Sequence, residues 1–519
     1  MYLTQALHRA VQQHPQQIAV HFGKRSTSFA DMADRVARLA GALQSLGVRT
    51  GDRVAMLALN SDRYLEYQMA VPWAGGVLNP CNIRWSVAEI AYSLNDSGST
   101  VLFVDEAFKG MIEPLKKDSQ TLREIIYCGD GEVPGGAHDY EALIRSAQPV
   151  PDAVRRGDDL AGIFYTGGTT GFPKGVMLSH TNLVSSGLAM RADGLAKPEG
   201  VYLHAAPMFH LADLGVGMPH WIEGNTHVVI PAFNPEAVLE AIETFKVTHT
   251  LLVPTMIQML VDHPAMKQPR NLRSLDTIAY GASPMSEAVV ERAMAALPGV
   301  SFMQAYGMTE LSPLATINPA WTHTPEGRKK GKLRAAGRAS HCCEVKIVDA
   351  QDQEVPRGTV GEVIVRGPNV MQGYWNKPEQ TEAALRGGWM HTGDAAWMDE
   401  DGFIFIADRL KDMIITGGEN VYSAEVENAL AQHPDVAACA VIGIPSDQWG
   451  ESVHAVVVAK PGTQPTAESL MAHCKTLIAN YKCPRSVDLV QALPLSGAGK
   501  VLKTTLREPF WKGHNRNVA

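Results

Sequence analysis

Short apolar runs ending in glycine or proline recur along the chain, with stretches of helical spacing between them. Met32, Val36, Leu39, Leu43 and Leu46 keep a helical period, and Ser28 with Asp31 three residues on predicts that helix's N-cap. The run RVAMLAL from Arg53 then reads as a strand, and TVLFVDE from Thr100 repeats the signal. HTLLVPTMI from His249, TIAYGASP from Thr277 and EVIVRG from Glu362 read as further buried strands. Alternation of this kind predicts an α/β fold with largely parallel sheets. At 519 residues the chain is too long for one ordinary core.

After DRLKDMIITGGENV from Asp408, the remaining residues carry their own strands, AACAVIGI and SVHAVVVAK, and a helix-like stretch, AESLMAHCKTLIANY. A boundary is therefore expected near Arg409–Lys411, with a large N-terminal domain of layered sheets and helices over 1–409 and a smaller α+β domain over 410–519. No internal repeat is present.

Composition narrows the function. With 45% hydrophobic and 19% charged residues the chain has the make-up of a globular protein. A net charge of -8 argues against a nucleic-acid partner, which needs a broad basic face. The first residues lack a signal-peptide core, and no segment has the length and apolarity of a membrane span. Seven cysteines without a CxxC pair read as free thiols, so the expected setting is cytoplasmic. The basic run RKKGKLRAAGR from Arg328 reads as a solvated loop or a phosphate contact.

The stretch YTGGTTGFPKGVML from Tyr165 looks built to hold phosphate. It is not a Walker loop, because Phe172 and Pro173 stand where that pattern needs Gly and Lys. It is not a Rossmann GxGxxG turn either. What remains is a loop whose glycines let backbone amides approach oxyanions and whose threonines add hydroxyl donors.

Four other stretches follow in a fixed order. QAYGMTE offers an aromatic ring at Tyr306, a hydroxyl at Thr309 and a hard oxygen ligand at Glu310. WMHTGD ends in Asp394, a carboxylate suited to ribose hydroxyls. FIADRLKDMIITGGEN places Arg409 at the expected boundary, and LPLSGAGKVLK puts Lys500 on a Ser/Gly turn. Together the five stretches resemble the adenylate-forming superfamily of acyl-CoA synthetases, luciferases and peptide-synthetase adenylation domains. The resemblance spans nearly the whole chain, and DRLKDMIITGGENVYSAEVE is most similar to fatty-acyl-CoA synthetases, then to aryl and cinnamate ligases. One departure lies in the loop, where Gly167 replaces the usual serine.

The resemblance implies an enzyme that joins a carboxylic acid to AMP at the expense of ATP and then passes the acyl group to a thiol. It implies that Lys500 bridges the carboxylate and the α-phosphate and that Glu310 holds Mg²⁺. Thr166, Gly167, Gly168, Thr169, Thr170, Gly171 and Lys174 would surround the pyrophosphate portion, and Thr309 would reach the α-phosphate. Ser283 and Tyr306 would border adenine, while Asp394 and Arg409 would hold ribose. His210, in PMFH, would stand beside the acyl-adenylate. Lys411 matches the family's hinge, about which the C-terminal domain rotates between the two steps. After rotation Gly417 and Gly418 would line the path of the thiol.

For the acid, the resemblance points to Leu211, Val216, Tyr280, Gly281, Ala305, Gly307, Pro313 and Leu314. These are mostly small or apolar, so a medium- or long-chain fatty acid is the first expectation and an aryl or cinnamate acid the alternative. Amino-acid-activating relatives carry an Asp after the PMFH segment; here Asp213 is out of register. The histidines His204, His210, His220, His227 and His249 show no metal spacing, and His204, His220 and His227 read as packing or surface groups. Free CoA is the expected acceptor, with a carrier protein as the rival. Trp449 reads either as a stacking partner of the CoA adenine or as a buried residue of the small domain. Tyr481 and Lys482 would support the CoA nucleotide. A nucleotide or acyl sensor is the non-enzyme alternative, and a homodimer stays open.

Overall fold

The computed structural model describes residues 1–166, 173–282, 285, 287–496 and 500–512, with the backbone alone at 288. Ser28 caps the helix Phe29–Ser45 by accepting the amide of Asp31 at 3.1 Å, as expected from the sequence. The helix turns Met32, Val36, Leu39 and Leu43 inward, all buried.

Among the described residues four sheets form. In the first, Arg53–Leu57, Val77–Pro80, Val101–Val104 and Glu124–Tyr127 pair in parallel. Leu160–Thr166 joins them beside Val77–Pro80 and turns back as the antiparallel strand Lys174–Ser179. In the second, Val201–His204, Thr226–Val229, His249–Leu251, Thr277–Gly281 and Ser301–Tyr306 run in parallel. A third, antiparallel sheet contains Glu344–Val348, Gly361–Arg366, Met390–Met398 and Ile404–Arg409. The central strands of the two large sheets are buried and apolar because helices cover both faces.

The fourth sheet is built from residues 414–489. Its long hairpin, Val436–Ser446 against Gly450–Ala459, packs under the helices Ser423–Ala431 and Lys503–Trp511. Ile414, Val421, Val426, Leu430, Val441, Val453, Val457 and Leu470 form a separate apolar core there. Burying one such side chain contributes about 1.5–3 kcal/mol, so this sheet carries a core of its own. The architecture is the expected α/β one, a large layered part and a smaller α+β part. Among the described residues no helix is long and apolar enough to cross a membrane.

The basic run from Arg328 departs from expectation. Pro325–Lys329 is helical, Arg328 pairs with Glu291 at 3.0 Å, and Lys332 sits between Asp399 and Asp401 at 2.5 and 2.7 Å. The Lys332 side chain is only 9% exposed, so it ties this segment to the third sheet and is not a solvated loop residue.

Candidate active site

Strand register brings the first two site residues together. Met390–Met398 and Ile404–Arg409 are antiparallel neighbours, and Asp394 stands directly opposite Arg409. The guanidinium Nε lies 3.0 Å from Asp394 Oδ1. From the second sheet the Tyr306 hydroxyl donates to Asp394 Oδ2 at 2.8 Å. The carboxylate is buried and fixed from two sides, which orients its remaining lone pairs. Asp394 holds the Arg409 guanidinium above its ordinary pKa, and burial first, then the Asp394 charge, pushes the Tyr306 phenol far up.

Glu310 lies in the turn Thr309–Leu311, just past strand Ser301–Tyr306, and is 6% exposed. The Tyr374 hydroxyl donates to its Oε1 at 2.8 Å, and burial with this carboxylate raises the Tyr374 pKa. The short strand Gly373–Tyr374 pairs with Lys174–Ser179, and the Lys174 ammonium lies 4.8 Å from the Tyr374 ring centre. Thr166 pairs with Lys174 where the hairpin opens into its loop. The Thr166–Lys174 end of the hairpin therefore lies near Tyr374, the partner of Glu310. The Tyr165 hydroxyl donates to Asp96 at 2.6 Å, fixing the same end of the hairpin. Gly167, Gly168, Thr169, Thr170, Gly171 and Ser283 lie outside the described residues.

Lys500 arrives from the C-terminal part. The Ser496 amide donates to the Lys500 carbonyl at 2.7 Å, and the Lys500 amide donates to Ser496 Oγ at 3.1 Å. Arg84 of the large part donates to the Ser496 carbonyl at 3.0 Å, which ties Ser496, and Lys500 bonded to it, to the large part. Burial first, then the positive charge of Arg409, lowers the Lys500 pKa to about 8, against the opposing pull of Asp394 and Glu310. One ammonium thus shares a field with three charged residues that lie 91 to 190 positions away in the sequence.

A buried carboxylate with one oxygen engaged by a tyrosine still has lone pairs for a hard cation, so Glu310 fits Mg²⁺ with phosphate oxygens as its other ligands. Lys411 sits in the turn Leu410–Asp412, immediately after Arg409. Burial and the Arg409 charge hold its pKa below the ordinary value. His210 precedes the helix Leu211–Glu223 and packs its ring 4.3 Å from Phe209.

The expected acyl pocket divides across the second sheet. Val216, Leu314 and Ala305 pack together with Ala279 and Met303. Tyr280 does not join them. It packs on the opposite face with Phe302 and Ile278, and its hydroxyl shares a 2.8 Å hydrogen bond with His323. Side chains alternate along a strand, so Ala279 and Tyr280 cannot face the same side. Gly281 and Gly307 do not open a slot along their side-chain direction either. A Cβ on Gly281 would fall 2.2 Å from the Ala305 carbonyl oxygen, and one on Gly307 would fall 1.9 Å from that of Pro313. Backbone fills the space. Leu211 belongs to the neighbouring core with Met208, Phe209 and Leu214. Asp213 is buried and pairs with His204 at 2.7 Å.

At the C-terminal part Gly417 and Gly418 have positive φ of 61° and 83°, which an L side chain resists. The Gly417 amide donates to the Trp449 carbonyl at 2.8 Å. Trp449 is 39% exposed, so the buried alternative for it fails; Arg485 lies 4.9 Å over its ring and donates to Thr416 Oγ1. Tyr481 is exposed, and Lys482 pairs with Glu425 at 2.8 Å. Sequence reasoning does not reach Tyr374, Asp96, Arg84 or Arg485. Each acts through a contact with a segment distant in the sequence.

The sequence matches the AMP-binding enzyme family over residues 7–375 and the AMP-binding enzyme C-terminal domain over 425–500. It is 40% identical to a feruloyl-CoA synthase of an Amycolatopsis species, covering 97% of this chain and 98% of that one. It is 35% identical to the fatty acid–[acyl-carrier-protein] ligase ScoC of Streptomyces coeruleorubidus, over 98% and 96%. The crystal structure of ATP-bound MatB from Rhodopseudomonas palustris superposes with a TM-score of 0.88 at 30% identity, over 99% of this chain and 100% of that one. The chain belongs to the AMP-binding, adenylate-forming enzyme family. It is an AMP-forming acid–thiol ligase, an acyl-CoA synthetase that uses ATP, Mg²⁺ and CoA.

Proposed function

We propose that Lys500, Glu310, Asp394 and Arg409 form the adenylate-forming centre, and that the acid is of the aryl or cinnamate type. The observation that carries the first part is the Lys500 ammonium docked in the field of Asp394, Glu310 and Arg409. A carboxylate is a poor electrophile because its leaving group would be oxide. Its oxygen attacks the α-phosphate of ATP, the bond to pyrophosphate breaks, and a mixed anhydride forms with AMP as a good leaving group. Two anions meet in this step, so the site must offer cations fixed in advance. Lys500 supplies one between the carboxylate and the α-phosphate, and Lys174 another at the pyrophosphate end. Thr309 donates to the α-phosphate. Asp394 and Arg409 hold the ribose, and Tyr306 keeps Asp394 oriented beside the adenine. Glu310 would hold Mg²⁺, which supplies neutralising charge to the phosphates.

In the second step the CoA thiolate attacks the acyl carbon and AMP leaves. Lys500 fills the docked site, so the unit beyond Lys411 must turn to admit the thiol past His210. Gly417 and Gly418 then border the pantetheine, and exposed Trp449 and Tyr481, with Lys482, meet the nucleotide end.

The 40% identity to a feruloyl-CoA synthase supports the aryl reading, as does a wall of Val216 and Leu314 with the small residues Ala212 and Ala305. A medium- or long-chain fatty acid is the second reading, supported by the 35% identity to ScoC. A panel of aryl, cinnamate and C6–C16 alkyl acids, followed by AMP release with CoA present, separates them. Cinnamate-type acids should exceed alkyl acids in kcat/KM by about tenfold or more, a margin that one pocket supplies through modest shape differences. The reverse order assigns the fatty acid.

A further inference from the structure

The helix Leu211–Glu223 is pinned on one side by a buried polar array outside the adenylate-forming centre. Asp213 is 1% exposed and accepts from His204 Nδ1 at 2.7 Å; His204 Nε2 shares a 2.8 Å hydrogen bond with His227 Nδ1. All three are buried. His204 and His227 come from the adjacent parallel strands Val201–His204 and Thr226–Val229, so the sheet sets their spacing. The helix adds two stacking contacts: Trp221 lies 4.0 Å from the His227 ring, and His220 lies 4.5 Å from Tyr202. Asp213, Gly217 and His220 follow an i, i+4, i+7 spacing and share one helix face. A Cβ on Gly217 would come within 3.3 Å of His204 Cε1, so helix and imidazole meet closely.

Gly215 lies two residues on from Asp213, on the opposite face, where a Cβ would fall 2.3 Å from Pro313 Cδ. The helix is therefore wedged between the imidazoles and Pro313, next to Leu314. A small shift of the helix alters the space around Val216, Pro313 and Leu314. Apolar packing alone fixes such a helix loosely along its axis, because one apolar contact substitutes for another, whereas the buried Asp213 carboxylate is held by a directional hydrogen bond to His204.

We propose that Asp213 and His204 are positioning residues that set the acid selectivity of the ligase by fixing the register of the helix Leu211–Glu223 against Pro313. This inference rests on the reading of Val216 and Leu314 as acyl-pocket walls.

The test compares Asp213→Leu, Asp213→Asn and Gly217→Ala with the parent, using a cinnamate acid and a medium-chain acid. Asp213→Leu removes the acceptor at similar volume. Asp213→Asn keeps an acceptor for His204, and Gly217→Ala presses on His204 without touching the carboxylate. Asp213→Leu and Gly217→Ala should each raise KM for the preferred acid about fivefold or more, since small misplacements near a substrate are costly. They should also change the ratio of kcat/KM between the two acids, leave KM for ATP unchanged, and find Asp213→Asn near the parent. If Asp213→Leu does not fold, Gly217→Ala carries the same readout. Equal loss for both acids and for ATP, or no loss, overturns the inference, provided that Val216→Phe alters acid preference. If Val216→Phe leaves the preference unchanged, the pocket reading falls and takes the inference with it.

Discussion

Lys500 is the proposed phosphate-bridging cation, and its surroundings set its pH range. Its pKa falls from the ordinary 10.5 to about 8 through burial and the neighbouring Arg409 charge. The bridging form is the ammonium, so it is present below that value and lost as pH rises through it. In the adenylate half-reaction kcat/KM for ATP should be level below pH 8 and fall about tenfold per unit above it, because this parameter reports the free enzyme. A flat profile to pH 10, measured by pyrophosphate release, would contradict this environment. The type of residue at 500 was legible in the sequence, but its company was not. Arg84, which donates to the Ser496 carbonyl, stands 416 positions before Lys500. Tyr280 is a different case. The strand TIAYGASP already implies alternation, and parity along it is enough to separate Tyr280 from Ala279.

Secondary-structure elements position the site through register and close backbone approach. The antiparallel pairing of Asp394 with Arg409 places the proposed ribose-binding pair without help from loops. The elements themselves were legible, because helix Phe29–Ser45 carries its cap and the buried strands are continuous apolar runs. Their pairing was not, since the strand order brings together segments far apart in sequence, as with Gly373–Tyr374 beside Lys174–Ser179. Gly307 shows the close approach. An alanine there must displace the Pro313 carbonyl, and overpacking of this kind costs about 1–3 kcal/mol. Gly307→Ala should lower the urea midpoint accordingly and reduce adenylate formation, because Thr309 and Glu310 follow within three residues. A variant with unchanged midpoint and rate would show that the backbone relaxes freely at this turn.

At the scale of the whole molecule the two parts meet where Arg84 donates to the Ser496 carbonyl, and the proposed mechanism gives each half-reaction its own arrangement of them. Lys411, in the turn between the third and fourth sheets, is the proposed pivot. Proline fixes φ and removes an amide donor, so Lys411→Pro restricts rotation there. It should leave pyrophosphate release near the parent rate and slow thioester formation by about a hundredfold, the scale of a misplaced reacting group. Equal loss of both would count against the pivot. In the proposed mechanism the C-terminal part completes the adenylate-forming centre through one ammonium. The decisive test is single-turnover pyrophosphate release by Lys500→Ala, with acid and ATP saturating and CoA absent. A loss of about 10² to 10³ in rate is expected, as for removal of one preorganised charge-stabilising donor. Release near the parent rate would show that the centre works without Lys500.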